Sequence, residues 1–185
     1  MPERRIKLGD AGLLDSLQLG WRPCPISAAL VRAGLPFLMT ENAARRKNAS
    51  LLRERLKNIS FLTMPEETSG NEGCYHLLTL IYNAEFSGIP REIYLERLKK
   101  MGFDGFVYIP TPIHRLRRLS IHDYDGPRVF WHEQLRRAAV DYRKTKCPHA
   151  EWRAKNSIEF AWNWTEVNPV AMEQLATALS AAAIN

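Results

Sequence analysis

Residues 19–59 read LGWRPCPISAALVRAGLPFLMTENAARRKNASLLRERLKNI, and this stretch sets the frame for the rest of the chain. Pro23 and Pro25 fix φ at two positions and hold Cys24 between them in extended geometry, so Arg22 stands on a stiff, non-helical approach. Ser27–Val31 then reads as a short helix that stops at Gly34. Pro36 suits the first turn of a second, longer helix running to about Leu56. On that helix Phe37, Ala44, Leu51, Leu52, Leu56 and Ile59 fall near one face. Arg45, Arg46, Lys47, Arg53, Glu54 and Lys57 fill the remainder. The expectation is a long helical arm over 19–59, preceded by a segment at 1–18 in which Leu13, Leu14 and Leu17 give only a weak helical pattern.

Downstream, the acidic, Gly- and Ser-containing stretch Ser60–Gly73 reads as an exposed connector. Tyr75–Tyr82 (YHLLTLIY) is β-rich, apolar on both faces and of strand length. Pro90–Met101 reads as a helix with apolar Ile93, Leu95 and Leu98, stopped by Gly102. Gly105–Ile109 is a second strand closed by Pro110 and Pro112. A further helix is expected over about Pro127–Tyr142, and a short one from Cys147 to about Lys155. A third strand is expected at Ser157–Trp162. Asn168 is a good N-cap, with Pro169 at the first position of the last helix. Strand, helix and strand joined by short connectors place the strands in one sheet. The fold class expected is α+β: a small, mostly antiparallel sheet covered by helices on one face and preceded by the helical arm, with 19–185 as one domain.

Composition narrows the function classes. At 185 residues one domain is the default. No apolar run approaches the roughly 18 residues of a membrane span. The N-terminal MPERRIKLGD carries charge with no apolar region behind it, which predicts no secretory leader. Three cysteines (Cys24, Cys74, Cys147), with no CxxC, predict reduced thiols and a cytoplasmic protein. Between Thr111 and Lys155, eleven Lys/Arg face five Asp/Glu, an excess equal to the whole net charge of +6. Such a segment is either a solvated basic face or a surface for a phosphate-bearing ligand, an acidic protein or nucleic acid.

Several motifs together resemble the DegT/StrS-type sugar aminotransferases, which are pyridoxal phosphate (PLP) enzymes. Trp21-Arg22-Pro23 resembles the end of the family's aromatic-Arg segment before a small-residue helix, although Gly20 stands where the family has Asn or Lys. Tyr75-His76-Leu77 resembles its Tyr-His-Leu strand. Tyr108-Ile109-Pro110-Thr111-Pro112-Ile113-His114 is similar to its Tyr-x-Pro-Leu-His segment, with longer spacing. Cys147-Pro148-His149-Ala150-Glu151 is similar to its Pro-x-Ala-Glu, closest to the subgroup acting on keto-inositols and related keto-sugars. The similarity covers about residues 15–183.

The resemblance implies the family's small C-terminal domain. The Lys that holds PLP as a Schiff base, and the acid that meets the pyridine nitrogen, belong to the family's large domain. No Lys of this sequence has a context for that role. The implied function is therefore one part of a split aminotransferase acting on a keto-sugar or keto-cyclitol, with PLP shared with a large-domain partner chain. By the same carry-over Trp21 and Arg22 reach the cofactor phosphate, and His114 and Tyr108 line the substrate mouth. No residue of this chain is assigned a catalytic step, and no metal is expected, since Cys147, His149 and His132 lack a usual zinc spacing. The alternative is a non-catalytic binding module that engages an acidic protein or nucleic acid through 111–155. Nucleic acid is disfavoured because no recognised binding motif is present.

Overall fold

A computed structural model describes residues 24–119, 130–138 and 141–184. The chain divides into two compact units, residues 1–39 and 40–185. In the first unit, helix α1 (Pro25–Gly34) begins with Pro25 in its first turn, as the sequence predicts, and a 3-10 turn follows at Leu35–Phe37. Helix α2 (Leu38–Leu56) starts there and runs on into the second unit.

The second unit is built on a three-stranded antiparallel sheet in the order β1-β2-β3, with β1 at Leu62–Thr63, β2 at Leu77–Tyr82 and β3 at Ser157–Ala161. On β2 every second side chain is buried: Leu78, Leu80 and Tyr82 point to one face. Ile158, Phe160 and Trp162 continue that face from β3. Leu52 and Leu56 of α2, Tyr94 and Leu98 of α4 (Arg91–Lys100, which follows the one-turn α3 at Ala84–Ser87), and Met172, Leu175 and Leu179 of α7 (Pro169–Ala181) cover it. Each such side chain contributes about 1.5–3 kcal/mol when fully buried. The α+β expectation, with helices on one sheet face, is thus what the chain adopts.

Polar groups fix this layer in place. The Tyr94 ring stacks on Tyr82 with centroids 4.5 Å apart, and its hydroxyl donates to the Leu179 carbonyl at 2.7 Å. Burial pushes that phenol far above its usual pKa range. Asn168 caps α7, its side chain accepting from the Ala171 N–H at 2.9 Å. Gly102, with φ of +89°, takes the left-handed conformation that stops α4.

Several expectations are corrected. Phe37 is 61 % exposed; it lies in the 3-10 turn ahead of α2, and the buried series of that helix begins only at Asn42 and Ala44. Ile93 is exposed, and the buried positions of α4 are Tyr94 and Leu98. The connector after Ser60 contains β1, and Leu62 and Met64 turn inward on alternate positions. The strand expected at Gly105–Ile109 shrinks to a single bridge between Phe106 and Glu159. The physical reason is donor supply: the Tyr108 N–H goes to a side chain, and Pro110 and Pro112 have no N–H to give. Of the helix expected over Pro127–Tyr142, α5 is described at Phe130–Arg137, followed by a 3-10 turn at Tyr142–Lys144. Leu13, Leu14, Leu17, Trp21 and Arg22 lie outside the described residues. No described helix is long and apolar enough to cross a membrane.

Candidate functional site

Side chains that point away from the core on β2 and β3 must face something else, because strand side chains alternate. Leu77 and Thr79 of β2 and Ser157 and Glu159 of β3 form the floor of a cleft of about 630 Å³ on the second face of the sheet. Its walls are Tyr108, Ile109, Pro112, Ile113 and His114 from the segment after Phe106, Tyr142 and Thr145, and Cys147, Ala150, Arg153 and Ala154 at helix α6 (Pro148–Asn156). The lining is largely apolar with a few convergent polar groups, which is the usual character of a small-molecule site.

Two segments far apart in sequence meet at one carboxylate. His114 sits in a 3-10 turn (Ile113–Arg115) directly after Pro112, and α6 carries Glu151 in its first turn. His114 Nε2 and Glu151 Oε1 are 2.8 Å apart, and Arg115 donates to the same oxygen from Nε at 3.1 Å and Nη2 at 2.8 Å. The hydrogen bond from His114, then that from Arg115, holds the Glu151 carboxyl below its ordinary pKa. The His114 side chain is only 9 % exposed. It is therefore a wall of the cleft locked by Glu151 and Arg115, and Arg115 is engaged in that cluster as well.

This cluster carries a pH dependence. The folded-state pKa of Glu151 is depressed, so its contribution is complete above the unfolded value of about 4.3 and is lost as pH falls through the folded one. The urea midpoint of the wild-type chain is expected to exceed that of Glu151→Gln near neutrality, with the gap closing in acid. A gap that stays constant from about pH 3 to pH 7 rules this out.

Of the four predicted site residues, His114 and Tyr108 are brought to one cleft; Tyr108 is 60 % exposed at its edge. Trp21 and Arg22 lie outside the described residues. Three floor residues were missed from sequence: Thr79, Ser157 and Glu159. The available signal was a lone acid between Ile158 and Phe160 in a strand, since an outward-facing charge in a short apolar run marks the other face. Among the described residues no group of His, Cys, Asp and Glu side chains could hold a metal ion. Part of the basic segment is paired internally: Arg115 with Glu151, Arg136 and Arg137 with Glu133, and Arg143 with Asp141.

A sequence profile described as the DegT/DnrJ/EryC1/StrS aminotransferase family matches residues 22–128, more than half of the chain. The chain belongs to this family. Comparison with curated proteins gives no match. Solved structures share the fold. DesI, crystallised in the presence of its TDP-sugar product, is 18 % identical with a TM-score of 0.64, over 85 % of this chain and 35 % of that one. The E. coli GDP-4-keto-6-deoxy-D-mannose-3-dehydratase with bound hydrated PLP is 21 % identical with a TM-score of 0.57, over 85 % and 36 %. A DegT DnrJ EryC1 StrS aminotransferase from Brucella abortus is 16 % identical with a TM-score of 0.60, over 83 % and 34 %. The chain thus spans about a third of the length of these structures.

Proposed function

We propose that this chain forms the small-domain part of a PLP-dependent aminotransferase that transfers an amino group to a keto-sugar or keto-cyclitol in the cytoplasm. In this reading residues 19–185 work as one functional piece, and the Lys that holds the cofactor comes from a large-domain partner chain. Among the described residues every lysine (47, 57, 99, 100, 144, 146 and 155) is exposed and none lines the cleft, and this observation carries the proposal. A lysine that holds such a cofactor needs a desolvated or cationic setting to lower its pKa, and an exposed amine on a helix surface has neither. The described residues therefore do not make up a cofactor site by themselves, and no chemical step is assigned to them. They suit a substrate wall: Tyr108 and His114 bound the cleft, and the Glu151 cluster holds His114 in place.

Trp21 and Arg22 are proposed to reach the cofactor phosphate in the assembled enzyme. An Arg fork on a proline-stiffened loop suits bidentate phosphate recognition and loses little freedom on binding. The test is co-purification of the tagged chain from its native host, with an absorbance spectrum of the eluate. A second polypeptide and a yellow cofactor band are expected. Arg22→Ala is expected to weaken PLP retention by about tenfold to a hundredfold. A lone, colourless chain that takes up no added PLP overturns the proposal.

A further inference from the structure

Helix α1 and the turn after it expose what folded chains normally cover. None of residues 24–40 is buried. Ile26, Leu30, Val31, Leu35, Phe37 and Met39 are each between 57 and 72 % exposed. Six such side chains expose on the order of 100 Å² of apolar surface each, most of the roughly 800 Å² that one partner contributes to a standard interface. Apolar surface of that extent on a folded chain marks an interaction site. It also runs round the helix. At about 100° per residue, Ile26 and Leu30 lie on one side, with Val31 and Leu35 nearly opposite. Between them, Pro25, Ala28, Ala29 and Ala33 leave a shallow groove beside Arg32. Arg32 is the one charged residue within 24–40, and it has no acidic partner among the described residues.

From this surface we infer that residues 25–39 are a plug, which the large-domain partner chain receives in an apolar groove with a carboxylate at its rim opposite Arg32. A helix that is apolar on every side is enclosed on every side in a folded assembly. A second copy of α1 laid alongside covers one side only and leaves the opposite ridge in water. It also brings Arg32 no acid: the nearest in the sequence, Glu41, already pairs with Arg45, and a symmetric pairing only repeats the cation. A helix lying in a lipid surface keeps a strongly polar face toward water, which α1 lacks. A groove in a larger protein meets all three demands, and the small Ala28, Ala29 and Ala33 let its walls approach the α1 backbone closely. The partner proposed above has the size for this, since the chain matches only about a third of each solved structure that shares its fold. The inference rests on the split-enzyme reading and adds to it the element of this chain that holds the two parts together.

The test compares variants of the tagged full chain with the wild type, each purified from the native host. Leu30→Glu and Arg32→Glu alter the plug; Val170→Glu, at an exposed position of α7, is the control. The readout is the amount of PLP-bearing chain that co-purifies, followed by its cofactor absorbance. Leu30→Glu is expected to lower it at least tenfold and Arg32→Glu about tenfold, whereas Val170→Glu leaves it unchanged. Because α1 buries no residue, the circular dichroism of Leu30→Glu is expected to match the wild type. Should it not, Arg32→Glu decides, together with a photo-crosslinker placed at position 30, which is expected to attach to the PLP-bearing chain. Undiminished co-purification in both plug variants, or crosslinks that join two copies of this chain, overturns the inference and leaves the split-enzyme reading standing. A wild-type chain that brings down no PLP-bearing partner overturns both.

Discussion

Asn48→Leu is expected to destabilise the folded 40–185 unit by about 3 kcal/mol, from the roughly 1–3 kcal/mol that each orphaned buried group costs. Asn48 is fully buried on α2, within the i, i+4 series Ala44–Asn48–Leu52–Leu56. Its amide spans two backbone groups more than a hundred residues away: Nδ2 donates to the Glu166 carbonyl at 2.8 Å, and Oδ1 accepts the Asn168 N–H at 2.8 Å. Leucine fills a similar space but leaves one donor and one acceptor without partners, beneath the turn that starts α7. Urea denaturation measures the effect as a lowered midpoint at unchanged slope. A cost below about 1 kcal/mol means that water or rearranged backbone serves the two groups, and that the clamp adds little. The exposed pair between Arg55 and Glu173, on the same two helices, makes the contrast: breaking it is expected to cost less than about 1 kcal/mol.

Asn48 also shows where the sequence could be read and where it could not. Regular, locally encoded features were legible. Tyr75–Tyr82 reads as a strand from its β-branched and aromatic content, Gly102 as a helix stop, and Asn168-Pro169 as a helix start; β2, the end of α4 and the start of α7 match. A pattern search for apolar faces, however, passes over Asn48 and Asn42, because a buried amide is stable only through partners that the sequence does not place beside it. The strand expected at Gly105–Ile109 failed for the same kind of reason. Its residues are suited to a strand, but the Tyr108 N–H finds Glu159, a long-range partner, and the ladder ends.

The site follows this division. Tyr108 and His114 were legible through their resemblance to a family motif, and the structure brings both to one cleft. That Glu151 would hold His114 was not legible, although both residues sit in recognisable motifs, because 36 residues separate it from Arg115 and 37 from His114. The floor residues Thr79, Ser157 and Glu159 emerge only with the β2–β3 register, since a shift of one residue would send each to the opposite face. The same strand therefore serves both layers, with Ile158 and Phe160 in the core and Ser157 and Glu159 in the cleft.

That shared strand makes Trp162→Ala the second large effect expected, at about 4 kcal/mol, within the roughly 3–5 kcal/mol typical of losing a buried large aromatic. Trp162 is 1 % exposed at the end of β3, packs edge-on against Trp164 at 6.0 Å, and donates its indole N–H to the Arg45 carbonyl at 3.0 Å. Removing it opens a cavity between β3 and α2 and leaves that carbonyl without its donor. Trp162→Phe keeps most of the volume and is expected to cost about 1–2 kcal/mol, mainly the lost hydrogen bond. Calorimetry or urea unfolding separates the two substitutions, and equal costs would mean that packing is irrelevant and only the hydrogen bond counts. The alternation of β3 extends the expectation to the cleft. A strand loosened on its core face holds Glu159 less firmly against the Tyr108 N–H, so under conditions where Trp162→Ala stays folded, the Tyr108 amide should exchange faster with solvent than in the wild-type chain. Exchange unchanged at Tyr108 would show that the Phe106–Glu159 bridge alone fixes the cleft wall, independently of the core behind it.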